Sequence, residues 1–478
     1  MTSLLLSLPD DILITILVAL NAQDLISISL TCRALYVFCA STDYIWHTID
    51  IDFPLNLSHQ AIADISPAQL QKHCVDGLRV EYNWRKNPPS LKTLSRIEHG
   101  GIVDQIQYLA PQWLVSMARV STSLGPTCVL SIWDCNISGD VKRIERISLE
   151  PRGLSKFSAT LSEDRTHVLI VIFGSPRAEI LRVYHIPLQT DYNADPNKYI
   201  TSRLMANDVA ESVFEADICG EIVSCLIARF DMGQPVYQLL FLDAKSGRHL
   251  RINVDVPPPF TKLQVRLFPD SFLLLSGVEG PQNLVLRIYD TTSILKGLKH
   301  SNSDFSASRQ SLGTPCAKYS SSALGSRSQE YKLSASHLST VAALIFPSGT
   351  SNRFVRFPVH SDNEGVTRFG HQSELQSHTF HKPRNVETYP EFISLGHRGQ
   401  RAVWLERKWD EESDRIRFNL MKGSFPSDHS GDVDVGPLLR EHIALPFVVD
   451  TCQSMAFDEA TGRIFLGLYT GEIYVLGL

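Results

Sequence analysis

The chain holds no apolar run of the roughly 18–20 residues that a membrane-crossing helix needs. Its apolar start, MTSLLLSLPDDILITILVAL, lacks a basic leader and is cut by Pro9, Asp10 and Asp11, so no signal peptide is expected. Basic charge is not in excess. Lys and Arg number 45 against 51 Asp and Glu, a formal −6, which argues against a general nucleic-acid-binding surface. The nine cysteines (Cys32, Cys39, Cys74, Cys128, Cys135, Cys219, Cys225, Cys316, Cys452) include no Cys-x-x-Cys pair. An odd, scattered set fits reduced thiols in an intracellular protein better than a disulfide framework. Nucleophile-elbow, phosphate-loop and dinucleotide glycine motifs are missing. His371, His378 and His381 have no cysteine or clear carboxylate beside them to complete a zinc set. The expectation is no catalytic residue, no metal and no cofactor.

What remains is an ordinary globular composition, 43% hydrophobic and 20% charged over 478 residues. Such a chain can bury a large core without covalent staples. It falls into two unlike parts. Residues 1–50 read as helix, with ILITILVAL over Ile12–Leu20 and a second apolar stretch from Leu25 to Phe38. Ser7 is a candidate cap and Pro9 suits a first turn, while Asp10 and Asp11 suit the positive end of the helix. Asn21 to Asp24 reads as a second helix start. This piece carries one arginine and five aspartates, so most of the net negative charge sits here.

From about residue 98 the apolar pattern has period two. Runs such as VLSIW at Val129–Trp133, VLIVIF at Val168–Phe173 and IVSCLIA at Ile222–Ala228 alternate with turn clusters such as Asp458–Gly462. A strand with an aromatic or aliphatic close recurs at Trp133, Tyr184, Phe241, Tyr289, Phe357, Phe418 and Tyr474, spaced roughly 50–70 residues apart, the signature of propeller blades with inserted loops. The reading is a small all-α N-terminal module and a large all-β propeller of seven blades, each of four antiparallel strands. The chain ends on a third strand, so residues 91–98 are the expected outer strand of the last blade, closing the ring. Residues 51–90, with Pro54, Pro67, Pro88 and Pro89, are expected to be a linker ahead of a propeller at 91–478. Residues 299–329, rich in serine, are an expected disordered insertion after the fourth unit. Arg203, Arg248, Arg266, Arg353, Arg368 and Arg384 would read acidic or phosphorylated segments only if the fold gathered them.

The helical part carries a motif. Leu8-Pro9-Asp10-Asp11-Ile12-Leu13 is followed by Ile16-Leu17, Leu20, Asp24-Leu25, Leu30, Cys32-Arg33, Phe38 and Trp46. The string resembles the F-box family over about residues 4–49, and departs from it at Leu35, where the family often has tryptophan. Residues 1–50 are thus the expected F-box. A helix apolar nearly all round needs more than one packing surface, and fifty residues supply only one. The resemblance implies that a Skp-type adaptor supplies the other, joined to a cullin and a RING subunit. It implies adaptor contacts at Leu8, Pro9, Ile12, Leu13, Ile16, Leu17, Leu20, Leu25, Leu30 and Cys32.

In F-box proteins with a C-terminal propeller the ring recognises the protein to be ubiquitinated. The resemblance therefore implies a non-catalytic substrate receptor of a cullin–RING (SCF-type) ubiquitin ligase, intracellular in the cytoplasm or nucleus, with neither nucleic acid nor membrane as partner. Two other readings stay open: a propeller interaction scaffold without a ligase role, and a propeller enzyme working at its central channel.

Overall fold

The computed structural model describes residues 4–49, 51, 53–56, 65–123, 125–135, 141–149, 156–174, 179–188, 199–205, 211–231, 234–254, 260–279, 283–300, 311–322, 329–334, 341–347, 351–361, 367–380, 388–410, 415–425, 432–440 and 443–478. Four short helices come first: α1 (Asp10–Val18), α2 (Ala22–Ser29), α3 (Arg33–Ser41) and α4 (Asp43–Thr48). Asn21 caps α2, its side chain accepting from the Asp24 amide at 2.8 Å. Helix α1 differs from expectation. Pro9 occupies the cap position with no side-chain bond, so the helix opens one residue later, on Asp10.

The expected linker contains an 18-residue helix, α5 (Pro67–Trp84). The prolines that suggest a linker are its boundaries. Pro67 stands in the first turn, behind a capping box of Ser66 and Gln69, and Pro88 and Pro89 lie just past its end. Its buried residues Leu70, Cys74, Gly77 and Trp84 follow helical spacing, but only Leu70 and Trp84 are large apolar side chains.

Seven four-stranded antiparallel sheets follow, at 102–148, 156–205, 212–253, 260–322, 329–380, 388–437 and 452–477. The seventh has three strands of its own. Its fourth is Thr93–Glu98, paired from Thr93 with Gly477 to Glu98 with Glu472. The first and last strands therefore share a sheet, and the ring has no free closing edge. Successive residues of a strand point to opposite faces. In the second strand of blade 6, Arg401–Asp410, Val403 and Leu405 pack with Ile464 and Leu466 of blade 7. Ala402 and Trp404 pack with Leu344 and Phe354 of blade 5. The core is thus a series of apolar layers between blades.

Side chains also join the blades. Gln105 donates to the Phe157 carbonyl at 2.7 Å and accepts from the Phe157 amide at 3.1 Å. Gln107 does the same to Ala159 at 2.8 and 3.0 Å. Each amide side chain thereby satisfies backbone groups that a missing strand would have paired. Between blades 4 and 5, Gln372 binds both backbone groups of Ser320, at 2.8 and 2.7 Å.

Two further expectations change. The serine-rich insertion lies inside blade 4, between its third strand, ending at Asp290, and its outer strand, Ala317–Ser322. Helix α6 (Thr292–His300) opens it, burying Leu298. Tyr319 makes the outer strand more than a serine tract: its ring is buried and its hydroxyl donates to the Pro358 and Gly370 carbonyls at 3.2 and 3.1 Å. Residues 301–310 and 323–328 lie outside the described residues. In blade 5 the third strand is Asn352–Arg356 and ends before Phe357, because Pro358 has no N–H with which to continue the ladder.

The turn between the closing strand and blade 1 holds His99. Its amide donates to the Gly471 carbonyl at 3.0 Å and its buried ring lies on Trp133, with centroids 5.8 Å apart. Among the described residues neither ring nitrogen has a hydrogen-bond partner of ordinary geometry. Burial, with Arg146 and Arg143 nearby, pushes the imidazole down to about 4. Between its unfolded value near 6.5 and about 4, the unfolded chain binds a proton that the folded chain refuses. Stability should fall as pH drops through that window, by up to about 3 kcal/mol, and level off below it. Urea unfolding from pH 7 to pH 4 checks this, and His99→Phe should flatten that part of the pH dependence.

Candidate adaptor-docking surface and the helix that carries it

Helices α1–α4 build a small core with α5. Leu13 and Leu17 of α1, Leu25 of α2, Leu35 and Cys39 of α3, and Ile45 and Trp46 of α4 are buried together with Phe53, Leu55, Ile65, Leu70 and Cys74. The Trp46 indole donates to the Cys39 carbonyl at 2.8 Å. Among the described residues, none from the propeller enters this cluster.

The ten expected adaptor contacts divide. Leu13, Leu17 and Leu25 are buried in the module's own core. Leu8 and Leu20 are half-buried, and Pro9 and Cys32 are exposed. Ile12, Ile16 and Leu30 are exposed to 45%, 39% and 74%, high for large aliphatic side chains. Helix α1 is therefore used on both sides, with Leu13 and Leu17 inward and Ile12 and Ile16, one turn apart, outward. Three more exposed apolar residues, Tyr36, Val37 and Tyr44, join the surface of the module. The motif attached no expectation to Tyr36, yet periodicity could have found it: with Leu35 and Cys39 inward at i and i+4, Tyr36 and Val37 fall elsewhere on α3. The six arginines considered for an acidic ligand are spread along the chain. Arg203, Arg248, Arg266 and Arg353 belong to blades 2, 3, 4 and 5, Arg368 sits in a hairpin inserted in blade 5, and Arg384 lies outside the described residues. Arg266 is bound to Glu215 at 3.4 Å.

Helix α5 carries the module onto the ring. Its first half lies in the helical core, and just beyond the midpoint Gly77 lets the Phe53 ring come close; a Cβ there would stand 2.7 Å from that ring. Its last residue, Trp84, enters the core between blades 6 and 7 and stacks on Phe457 at 5.3 Å. The indole N–H donates to Ser424 Oγ at 2.8 Å, and the Trp84 carbonyl accepts from Lys422 Nζ at 2.7 Å. Arg401 and Lys422 also lie 5.5 and 5.8 Å from the indole centre, within cation–π range.

Both cations are almost wholly buried and therefore need partners. Arg401 pairs with Glu81 of α5, and Lys422 with Asp434 at 3.4 Å. Burial disfavours the Glu81 charge, but Arg401 and Arg85 outweigh it and hold the carboxyl below its usual range. Burial pulls the Lys422 ammonium down, with Asp434 opposing. Behind Arg401, the fully buried Glu459 accepts from the amides of Arg398, Gln400 and Arg401 at 2.7, 2.8 and 2.8 Å. Arg398 in turn donates to the Phe53 carbonyl at 3.3 Å, a second tie between the ring and the helical module. Glu459 thus fixes the turn that presents both arginines.

Four packed helices with a surplus of exposed apolar residues are borne by a fifth helix on a seven-bladed ring. The F-box-like family model matches residues 5–52. The chain therefore has an F-box-like domain followed by a seven-bladed β-propeller, an architecture typical of substrate-recognition adaptors that perform no chemistry themselves. No curated protein matches the chain. Among the described residues no helix is long and apolar enough to cross a membrane.

The network around Trp84 sets two expectations. Trp84→Ala should cost about 3–5 kcal/mol, the range for removing a buried aromatic. Glu81→Gln should cost about 3 kcal/mol, because it leaves the Arg401 charge buried without its partner. Calorimetry checks both. The wild-type chain should unfold in one transition, whereas Trp84→Ala should separate the helical module from the ring as two.

Proposed function

We propose that this chain is the substrate-recognition subunit of a cullin–RING ubiquitin ligase, with its F-box-like domain docking on a Skp-type adaptor and its propeller holding the protein target. One observation carries the reading: after α1–α5 have closed their own core, Ile12, Ile16 and Leu30 are still in water with Tyr36, Val37 and Tyr44 on the same small module. Exposed apolar residues at that density mark an interaction surface. The same observation weighs against a scaffold whose helices serve only to pack on the ring, since that packing is made by α5 and Phe53. In this role the chain contributes no bond-breaking step. It holds target lysines near the charged conjugating enzyme, an effective-concentration effect. All nine cysteines are free, which supports an intracellular setting.

The ring would offer its target the face away from the module. Helix α5 binds blade 6 where the second strand begins, at Arg401, opposite Ser424. That strand runs ten residues to Asp410, about 30 Å at the usual rise, so its far end lies on the other face.

Capture of a purified Skp-type adaptor by the full chain tests the reading. Ile12→Asp, Ile16→Asp and Leu30→Asp together should weaken capture at least tenfold while leaving thermal unfolding of the propeller unchanged. Leu17→Asp is the contrasting control, because it should unfold the module itself. A folded wild-type chain that captures no adaptor, or a triple variant that captures it as well as wild type, would contradict the proposal.

A further inference from the structure

Blade 2 carries a pair of histidines that the receptor reading does not use. His167 opens its second strand, His167–Phe173, and His185 lies near the end of its third, Glu179–Pro187. His167 stands opposite Pro187 and His185 opposite Leu169, so the two are diagonal neighbours on one face of the sheet. Leu169, Val171, Leu181 and Val183 share that face and pack with Val223 and Cys225 of blade 3. The histidines therefore stand at the margin of the layer between blades 2 and 3. Both are half-buried, and their ring centroids lie 4.2 Å apart with the planes tilted by 41°. No other two histidine rings are in contact among the described residues.

A hydrogen-bond chain fixes which nitrogen of His167 is open. The Ser162 hydroxyl and the Thr166 hydroxyl and amide donate to Asp164, at 2.6, 2.7 and 3.1 Å. These bonds hold the carboxyl down to about 2, so it is ionised and can only accept. The single Thr166 hydroxyl proton is thus committed to Asp164. Its oxygen, 2.6 Å from His167 Nδ1, must accept from that nitrogen, so Nδ1 carries the hydrogen of the neutral ring. Nε2 keeps its lone pair and has no hydrogen-bond partner among the described residues. His185 makes no hydrogen bond there either. Burial and then the His167 ring keep His185 below its usual value, so it is neutral at pH 7 and also offers a lone pair. Three further charges act on it. Glu221 and Asp164 are carboxylates, and Lys245 is the one ammonium, so they sum to one negative charge. Glu163 and Arg165, in the same turn as Asp164, offset each other.

We propose that His167 and His185 chelate a divalent transition metal of the zinc class, with Glu221 of blade 3 as third ligand and water in the fourth position. Imidazole suits such ions. Two imidazole nitrogens on one zinc stand about 3.3 Å apart, each at about 2.0–2.1 Å from the metal, a spacing that rings 4.2 Å apart reach by small side-chain rotations. No three ligands already converge among the described residues. Binding therefore draws in Glu221, an exposed side chain in the turn between the first two strands of blade 3. Thr166, backed by Asp164, holds the His167 ring in the tautomer that presents Nε2, the support that metal-binding histidines need. A metal held this way ties blade 2 to blade 3. The inference goes beyond the receptor reading and does not depend on it.

The test titrates zinc ion alone into the full chain, with the exposed Cys32 and Cys316 changed to serine so that they do not compete. Calorimetry should show one equivalent of zinc bound at this site. His167→Ala and His185→Ala should each weaken that site at least tenfold, and Glu221→Gln at least threefold. Thr166→Val, which leaves every ligand in place, should weaken it about tenfold. With zinc at a hundred times its dissociation constant the melting point should rise by about 2–4 °C, and the rise should vanish in His185→Ala. Zinc K-edge X-ray absorption at one equivalent should show two imidazoles on the metal, a readout that needs no histidine variant and so survives a substitution that fails to fold. A chain that takes up no zinc would overturn the proposal. So would uptake that both histidine variants keep, or an absorption spectrum with fewer than two imidazoles. Full affinity in Glu221→Gln would overturn the tie between blades 2 and 3.

Discussion

The attachment of α5 to blades 6 and 7 is the contact on which the arrangement of the two halves depends. A fifty-residue helical module and a seven-bladed ring could be joined by a loose tether, and each has its own core. Here Trp84 is shared. Its ring lies in the layer between two blades, its N–H and carbonyl are both taken by propeller side chains, and two buried cations face its indole. Glu81, one helical turn earlier, neutralises one of those cations. Charges buried this deeply are tolerated only with partners in place, so the pair specifies one docking geometry more than it adds stability. Because the other end of α5 is part of the helical core, that geometry passes to the module without an intervening hinge.

Blade 6 takes the contact at one end of its long central hairpin, where Arg401 and Ser424 meet α5. The closure of the ring secures the same junction. Thr93–Glu98, which follows α5 almost directly, is the outer strand of blade 7. The chain leaving the helical module is thus secured twice, through Trp84 between blades and through a full six-residue ladder at the edge. His99 ends that ladder as a neutral, buried ring, which makes the junction sensitive to acid.

Much of the architecture was legible because it is written in period and spacing. The alternating runs at Val129–Trp133, Val168–Phe173 and Ile222–Ala228 all fall inside strands, and the spacing of the aromatic closes gave seven blades of four strands. Helix α5 was not legible, since its buried positions are filled by Cys74, Gly77 and Asn83 as well as Leu70 and Trp84, leaving little apolar signal. Its flanking prolines then read as linker when they are boundaries. The outer strand of blade 4 was hidden in the same way: in Ala317–Ser322 one buried tyrosine does the packing among three serines. The exposed apolar surface of the module was half legible. Motif spacing selected Ile12, Ile16 and Leu30, but it could not separate them from Leu13, Leu17 and Leu25, because inward and outward residues of α1 and α2 are equally apolar. Only the packing of Trp46, Phe53 and α5 decides which side is already covered.

The fixed placement of the F-box-like domain on the ring is the central claim, and two native cysteines allow a direct test. Cys32 in the helical module and Cys316 in blade 4 are the two exposed cysteines of the chain. Spin labels at these two sites should give a single narrow distance distribution by pulsed dipolar spectroscopy, and Trp84→Ala should broaden it. A broad or multimodal distribution in the wild-type chain would contradict the account, because it would show that the network around Trp84 does not hold the two halves together.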